Sequence, residues 1–205
     1  MGAHSAHPTS LPKTNPFTLH LHHTMQHTHQ NINRAEAPAW GATSPYFTLR
    51  ELTASATAER QGIDNTPTTA ARHMLAILVE RLLHPIRVAW QAPIIVTSGY
   101  RCPELNRLVG GTPRSHHLLG CAADITAGSR QANRLLFDLI QQMHRIQLIR
   151  YTQLIAEDNY RWLHLAYVPS DLRGQAIVCQ QPTPVTTDEV PAEVTIKDSS
   201  SALIY

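Results

Sequence analysis

Several things are scarce in this chain, and each scarcity removes a class of protein. Cysteine occurs three times in 205 residues, at Cys102, Cys121 and Cys179. That odd, sparse set excludes a disulfide scaffold and fits a reducing compartment. No apolar run approaches the roughly 18 residues that a membrane helix needs. Charge of one sign is also lacking: 17 basic side chains stand against 15 acidic ones, for a net charge of +2. The basic residues are spread along the chain, whereas a dedicated nucleic-acid binder would cluster them. The first 30 residues contain no continuous apolar stretch of the kind a secretory leader requires, because histidine, threonine and proline interrupt it. This implies a cytoplasmic product, or one released by a route that needs no such leader.

Histidine is what the chain has in excess, with 13 copies. Seven of them (His4, His7, His20, His22, His23, His27 and His29) fall among Thr, Pro, Asn and Gln in the first 29 residues. Such a stretch cannot bury enough apolar surface to order itself, so residues 1–44 are expected to form a disordered tail. Histidine-rich tracts also bind metals, which leaves a metal-sequestering role open. Residues 180–205 carry three prolines, four acids and few aromatics, and are read as a second tail. Residues 45–179 hold nearly all the periodic apolar sequence and form the expected single domain.

Within that domain, Thr48 caps a short helical turn through Glu51. Thr66 and Pro67 are expected to open a long helix to about Ala89, with Ala71, Leu75, Leu78, Leu82 and Ile86 on one face and a bend or end near Pro85. Pro93 to Thr97 reads as a buried strand. Ser129 caps a second long helix carrying Leu135, Leu136, Leu139, Ile140 and Met143. Thr152–Ala156, Trp162–Val168 and Gln175–Val178 read as strands separated by turns. Helices and strands come in blocks, which predicts an α+β fold: a small antiparallel sheet packed against helices.

The chemically dense segment runs from Ser98 to Asp124, directly after a predicted strand. Asp124 lies near the start of an otherwise apolar strand, where an unpaired buried carboxylate is very costly. A metal ion is one partner that would satisfy it. His117 lies seven residues upstream, across a turn that Gly120 can close. His164 sits alone in the apolar strand Trp162–Ala166, a setting where a histidine is ordinarily a core residue. Taken with His117 and Asp124 it becomes a third ligand, and two histidines with one carboxylate leave a fourth position open, as in catalytic zinc sites. If residues 158–161 form a four-residue loop, Glu157 pairs with Trp162 and looks toward the metal from a position diagonal to His164. It can then serve as general base, with Asp158 as the alternative if the register slips by one.

Ser98-Gly-Tyr-Arg101, Leu105-Asn-Arg-x-Val-Gly-Gly111, Ser115-x-His-x-x-Gly-x-Ala-x-Asp124 and Trp162-x-His164, in this order, resemble the zinc D-Ala-D-Ala carboxypeptidase family over about Phe47 to Ile177. The resemblance implies the hedgehog/DD-peptidase fold, Zn2+ held by His117, Asp124 and His164, and peptidoglycan stem peptides as substrate. It further implies that Arg101 holds the carbonyl oxygen or stabilises the tetrahedral intermediate, and that Ser115 and Tyr100 seat the substrate. A guanidinium suits that role because it stabilises negative charge without losing a proton.

Two departures matter. Many members carry Glu three residues before the last histidine, where this chain has Arg161, so the base falls to Glu157. A zinc-containing but non-catalytic peptidoglycan-binding module is the alternative this favours. His116 adjoins His117 and would compete for the metal if the loop shifted, but only His117 fits the spacing. His73, His84 and His144 are expected at the surface or in packing, and Cys121 in the core. A Cys102–Cys179 bridge stays open on sequence alone.

Overall fold

A computed structural model of the chain describes residues 44–179. The expectations for the two tails lie outside the described residues, apart from Ser44, a buried residue whose hydroxyl lies 3.0 Å from His84 Nδ1.

Helix α1 (Leu49–Thr53) opens on a capping box in which Thr48 and Glu51 satisfy each other's backbone amides. Helix α2 (Ala56–Gln61) is capped by Ser55 and stopped by Gly62; it was not expected from the sequence. Helix α3 (Thr69–Leu78) begins two residues later than the sequence suggests, with Thr68 as its cap. The amide of Thr66 is instead taken by Asp64 Oδ1 at 2.9 Å, and a residue preceding proline favours extended backbone. Proline at position 85 does not end the helix. The ladder widens to a π-helical turn over Val79–Leu83 and continues as α4 (His84–Trp90), which accommodates a residue with no N–H to give.

After β1 (Ile95–Ser98) come α5 (Pro103–Leu108), a 3-10 turn (His116–Leu119) and β2 (Ala122–Thr126). Helix α6 (Arg130–Arg145) has Ser129 at its cap, as predicted. Strands β3 (Gln153–Glu157), β4 (Trp162–Ala166) and β5 (Gln175–Val178) complete the sheet. The strand order is β1-β2-β4-β3-β5. Three pairings are antiparallel as expected, but β5 runs parallel to β3, so the sheet is mixed. Residues 167–174 carry the chain from β4 past β3 to its far side, and that crossover sets the direction of β5.

One face of the sheet is core. Ala123, Ile125, Leu154, Ala156, Leu163 and Leu165 are fully buried there, with Leu136, Ile140 and Met143 of α6, Leu75 and Leu78 of α3, Leu82 of the π-helical turn and Ile86 of α4 completing the cluster. Each large aliphatic side chain so buried contributes about 1.5–3 kcal/mol. Because side chains alternate along a strand, Asp124, Glu157, Trp162 and His164 are left on the other face. They line a cleft of about 1340 Å³. No helix among the described residues is long and apolar enough to cross a membrane.

Candidate metal centre

The β2–β4 register sets Asp124 directly opposite His164, with Oδ1 2.9 Å from His164 Nδ1. His117 comes to the same point from the 3-10 turn. Its Nε2 lies 3.2 Å from Asp124 Oδ1 and 3.2 Å from His164 Nδ1. The turn is closed by Gly120 at φ 70, where a Cβ would stand 2.3 Å from the Ala71 carbonyl oxygen. Only glycine meets both the left-handed backbone and that approach.

The three atoms fit zinc. A tetrahedral ion with ligand bonds near 2.0–2.1 Å spaces its ligand atoms about 3.4 Å apart, close to the triangle seen here. The trio offers two imidazole nitrogens and one carboxylate oxygen, all within 4.8 Å of one another. The second ring nitrogen of His117 lies 2.6 Å from the Gly99 carbonyl oxygen. A carbonyl only accepts, so Nδ1 carries the proton and the Nε2 lone pair is left for a metal. Gly99 is itself pressed against α1: a Cβ there would stand 2.1 Å from the Leu52 carbonyl oxygen, to which Tyr100 N donates at 2.7 Å.

Arg101 reaches both the carboxylate and a histidine of the trio, with its Nη2 3.2 Å from His117 Nε2. Its Nη2 donates to Asp124 Oδ2 at 2.7 Å and its Nε to Ser98 Oγ at 2.9 Å, and the side chain is largely buried. The bond goes to the oxygen that does not face the histidines. It therefore turns Oδ1 toward them. Burial pushes the Asp124 carboxyl up, but with no metal bound and both imidazoles protonated, hydrogen bonding to His117 and His164 and their charge outweigh it and hold the group well below the usual carboxylate range.

Ser115 and Tyr100 both line the cleft. The Ser115 hydroxyl caps the 3-10 turn by accepting from His117 N at 3.3 Å. Burial pushes the Tyr100 phenol up, with the charges of Cys102 and Asp64 adding to it, so it stays protonated. Glu157 pairs with Trp162 across the four-residue turn, in the anticipated register, and both line the cleft with His164. Asp158 instead pairs with Arg130 and Arg161 at 3.4 and 3.5 Å, and Arg161 is mostly exposed. His116 lines the cleft outside the trio.

All three cysteines are free; the Cys102 sulfur caps α5 by accepting from Leu105 N at 3.4 Å, and Cys121 is buried as expected. The sequence reading missed three supporting residues: Gly99, Asn65 and Asn133. Asn65 bonds the Thr53 and Tyr100 carbonyls and receives Cys102 N, tying the Arg101 segment to α1. Asn133 is a fully buried amide on the apolar face of α6, and a polar residue at such a position is the signal that could have marked it.

Residues 45–165 match the family model described as Peptidase M15. The match takes in the histidine–aspartate–histidine trio, Arg101 and Glu157. A search of curated proteins finds no match. With the family model covering more than half of the chain, this protein belongs to the peptidase M15 family, of the zinc D-Ala-D-Ala carboxypeptidase type.

Proposed function

We propose that the chain is a zinc-dependent peptidase hydrolysing peptide bonds in peptidoglycan stem peptides, of the D-Ala-D-Ala carboxypeptidase or murein endopeptidase type. The observation that carries this reading is the His117–Asp124–His164 trio on the floor of a cleft large enough for several peptide residues. When bound, zinc supplies a Lewis acid that polarises a carbonyl and lowers the pKa of water toward neutrality.

The chain's own groups do the rest. Glu157 accepts the proton of the attacking water and returns it to the amine as the C–N bond breaks. The Nη1 of Arg101 has no hydrogen-bond partner among the described residues and is free to donate to the oxygen on which negative charge develops. Tyr100 and Ser115, at the wall of the cleft, seat the substrate backbone. A second reading, a peptidoglycan-binding module that does not cleave, is favoured by Arg161 in the place of the glutamate of Glu-x-x-His.

Mass spectrometry of purified peptidoglycan fragments, digested by wild type, His117→Ala and a chelated sample, separates these readings. Zinc-dependent release of terminal D-alanine assigns a carboxypeptidase, and cleavage within a stem or crosslink assigns an endopeptidase. One equivalent of zinc bound with no product under any condition would assign the binding module.

A further inference from the structure

The turn joining β3 to β4 holds three successive non-glycine residues in the left-handed region: Asp158, Asn159 and Tyr160, at φ 44, 51 and 63. Asp and Asn tolerate this conformation, whereas a bulky tyrosine is rarely found there. Such a turn persists only when its surroundings over-determine it, and those places cluster at functional sites.

Here the surroundings are one face of α6. Arg130, Asn133, Arg134 and Phe137 follow the spacing i, i+3, i+4 and i+7, so they form a single stripe. Arg130 Nη1 donates to the carbonyls of Asp158 and Asn159. Asn133 Nδ2 donates to the carbonyls of Tyr160 and Arg161, both at 2.9 Å. The Tyr160 ring packs edge-on against Phe137 at 5.6 Å, with the Arg134 guanidinium 5.2 Å from its centroid. Every carbonyl of the turn is therefore gripped by the helix. Asn133 Oδ1 also accepts from Ala127 N at 2.6 Å, just beyond the end of the strand that carries Asp124.

We infer that Arg130 and Asn133 are positioning residues that hold the strained β3–β4 turn so that Glu157 faces the metal trio. This rests on the reading of Glu157 as general base. The turn is the only covalent link between Glu157 on β3 and His164 on β4. Asn133 refers it to β2, the strand of Asp124, so the stripe on α6 fixes the proposed base against two of the three ligands. Without it, a three-residue left-handed turn relaxes and the Glu157 carboxylate loses its place in the cleft.

The test is a double-mutant cycle on the zinc-loaded full chain with purified peptidoglycan fragments as substrate. Arg130→Met is the main variant, because its side chain is half exposed and its loss spares the core. The expected result is a kcat lower by ~10- to 100-fold with KM and zinc stoichiometry unchanged, partly recovered by Arg130→Lys. In a Glu157→Gln background, Arg130→Met should lower kcat less than about twofold further, because the two changes act on one element. Wild-type kcat for Arg130→Met beside an impaired Glu157→Gln, or equal losses in both backgrounds, overturns the inference alone. Full turnover by Glu157→Gln overturns the base reading and the inference with it. Amide exchange reads the turn without activity: Arg130→Met should speed exchange at Asn159 and Arg161 about tenfold or more, and unchanged exchange overturns the clamp.

Discussion

Asp124 and His164 are cross-strand partners on β2 and β4, with Oδ1 of one 2.9 Å from Nδ1 of the other. Two members of the candidate trio are thus held by a ladder of backbone hydrogen bonds, and only His117 comes from a 3-10 turn. Alanine at His117, Asp124 or His164 is expected to lower bound zinc from one equivalent to below 0.1, on the order of magnitude set by losing one of three protein ligands. Metal analysis of dialysed protein reads this directly.

Arg101 touches both the Asp124 carboxylate and the cleft. Arg101→Gln is expected to weaken zinc binding about tenfold, by freeing Asp124 Oδ2, and to lower kcat by roughly 10²–10³-fold, by removing a donor to the developing oxyanion. Competition with a chromophoric chelator and steady-state kinetics check the two effects separately. A fall in kcat with unchanged zinc affinity would mean that Arg101 acts on substrate alone.

Gly99 accepts from His117 Nδ1 and abuts α1. In Gly99→Ala the new methyl meets the Leu52 carbonyl and must push the two segments apart. The expected cost is about 1–3 kcal/mol of stability. Zinc affinity should fall roughly 10- to 100-fold, because the displaced carbonyl no longer orients His117. Urea unfolding and a zinc titration test both.

Burial pushes the His84 imidazole below its ordinary value. Between the ordinary value of 6.5 and the lowered one, the unfolded chain binds a proton that the folded chain refuses, so stability is lost as pH falls through that window. His84→Gln cannot take up that proton. Urea midpoints of the metal-free protein should drop from pH 7.5 to pH 5.5 more steeply in wild type than in His84→Gln, and equal slopes would contradict the assignment.

Much of the site was legible because its signals are local. The spacing from His117 to Asp124, an aspartate in an apolar strand and a histidine in another named the trio. The two polar positions at 158 and 159 announced the turn that pairs Glu157 with Trp162. What escaped the sequence depends on distant partners. Helix α5 opens on Cys102, a thiol that seldom caps, so Pro103 at its first position passed unnoticed as a start signal. The parallel course of β5 follows from a crossover that leaves no periodic trace in residues 167–174. Gly99 is required by Leu52, 47 positions earlier, and Asn133 by carbonyls of a turn 27 and 28 residues away.

The central claim is that one zinc, held by His117, Asp124 and His164, drives hydrolysis of a peptidoglycan peptide. Stepwise return of zinc to chelated protein, with product release measured at each addition, tests it most directly. Activity should rise linearly and level off at one equivalent in wild type, and stay at background in Asp124→Asn. Activity that ignores zinc, or an Asp124→Asn protein that recovers in parallel with wild type, would contradict the account.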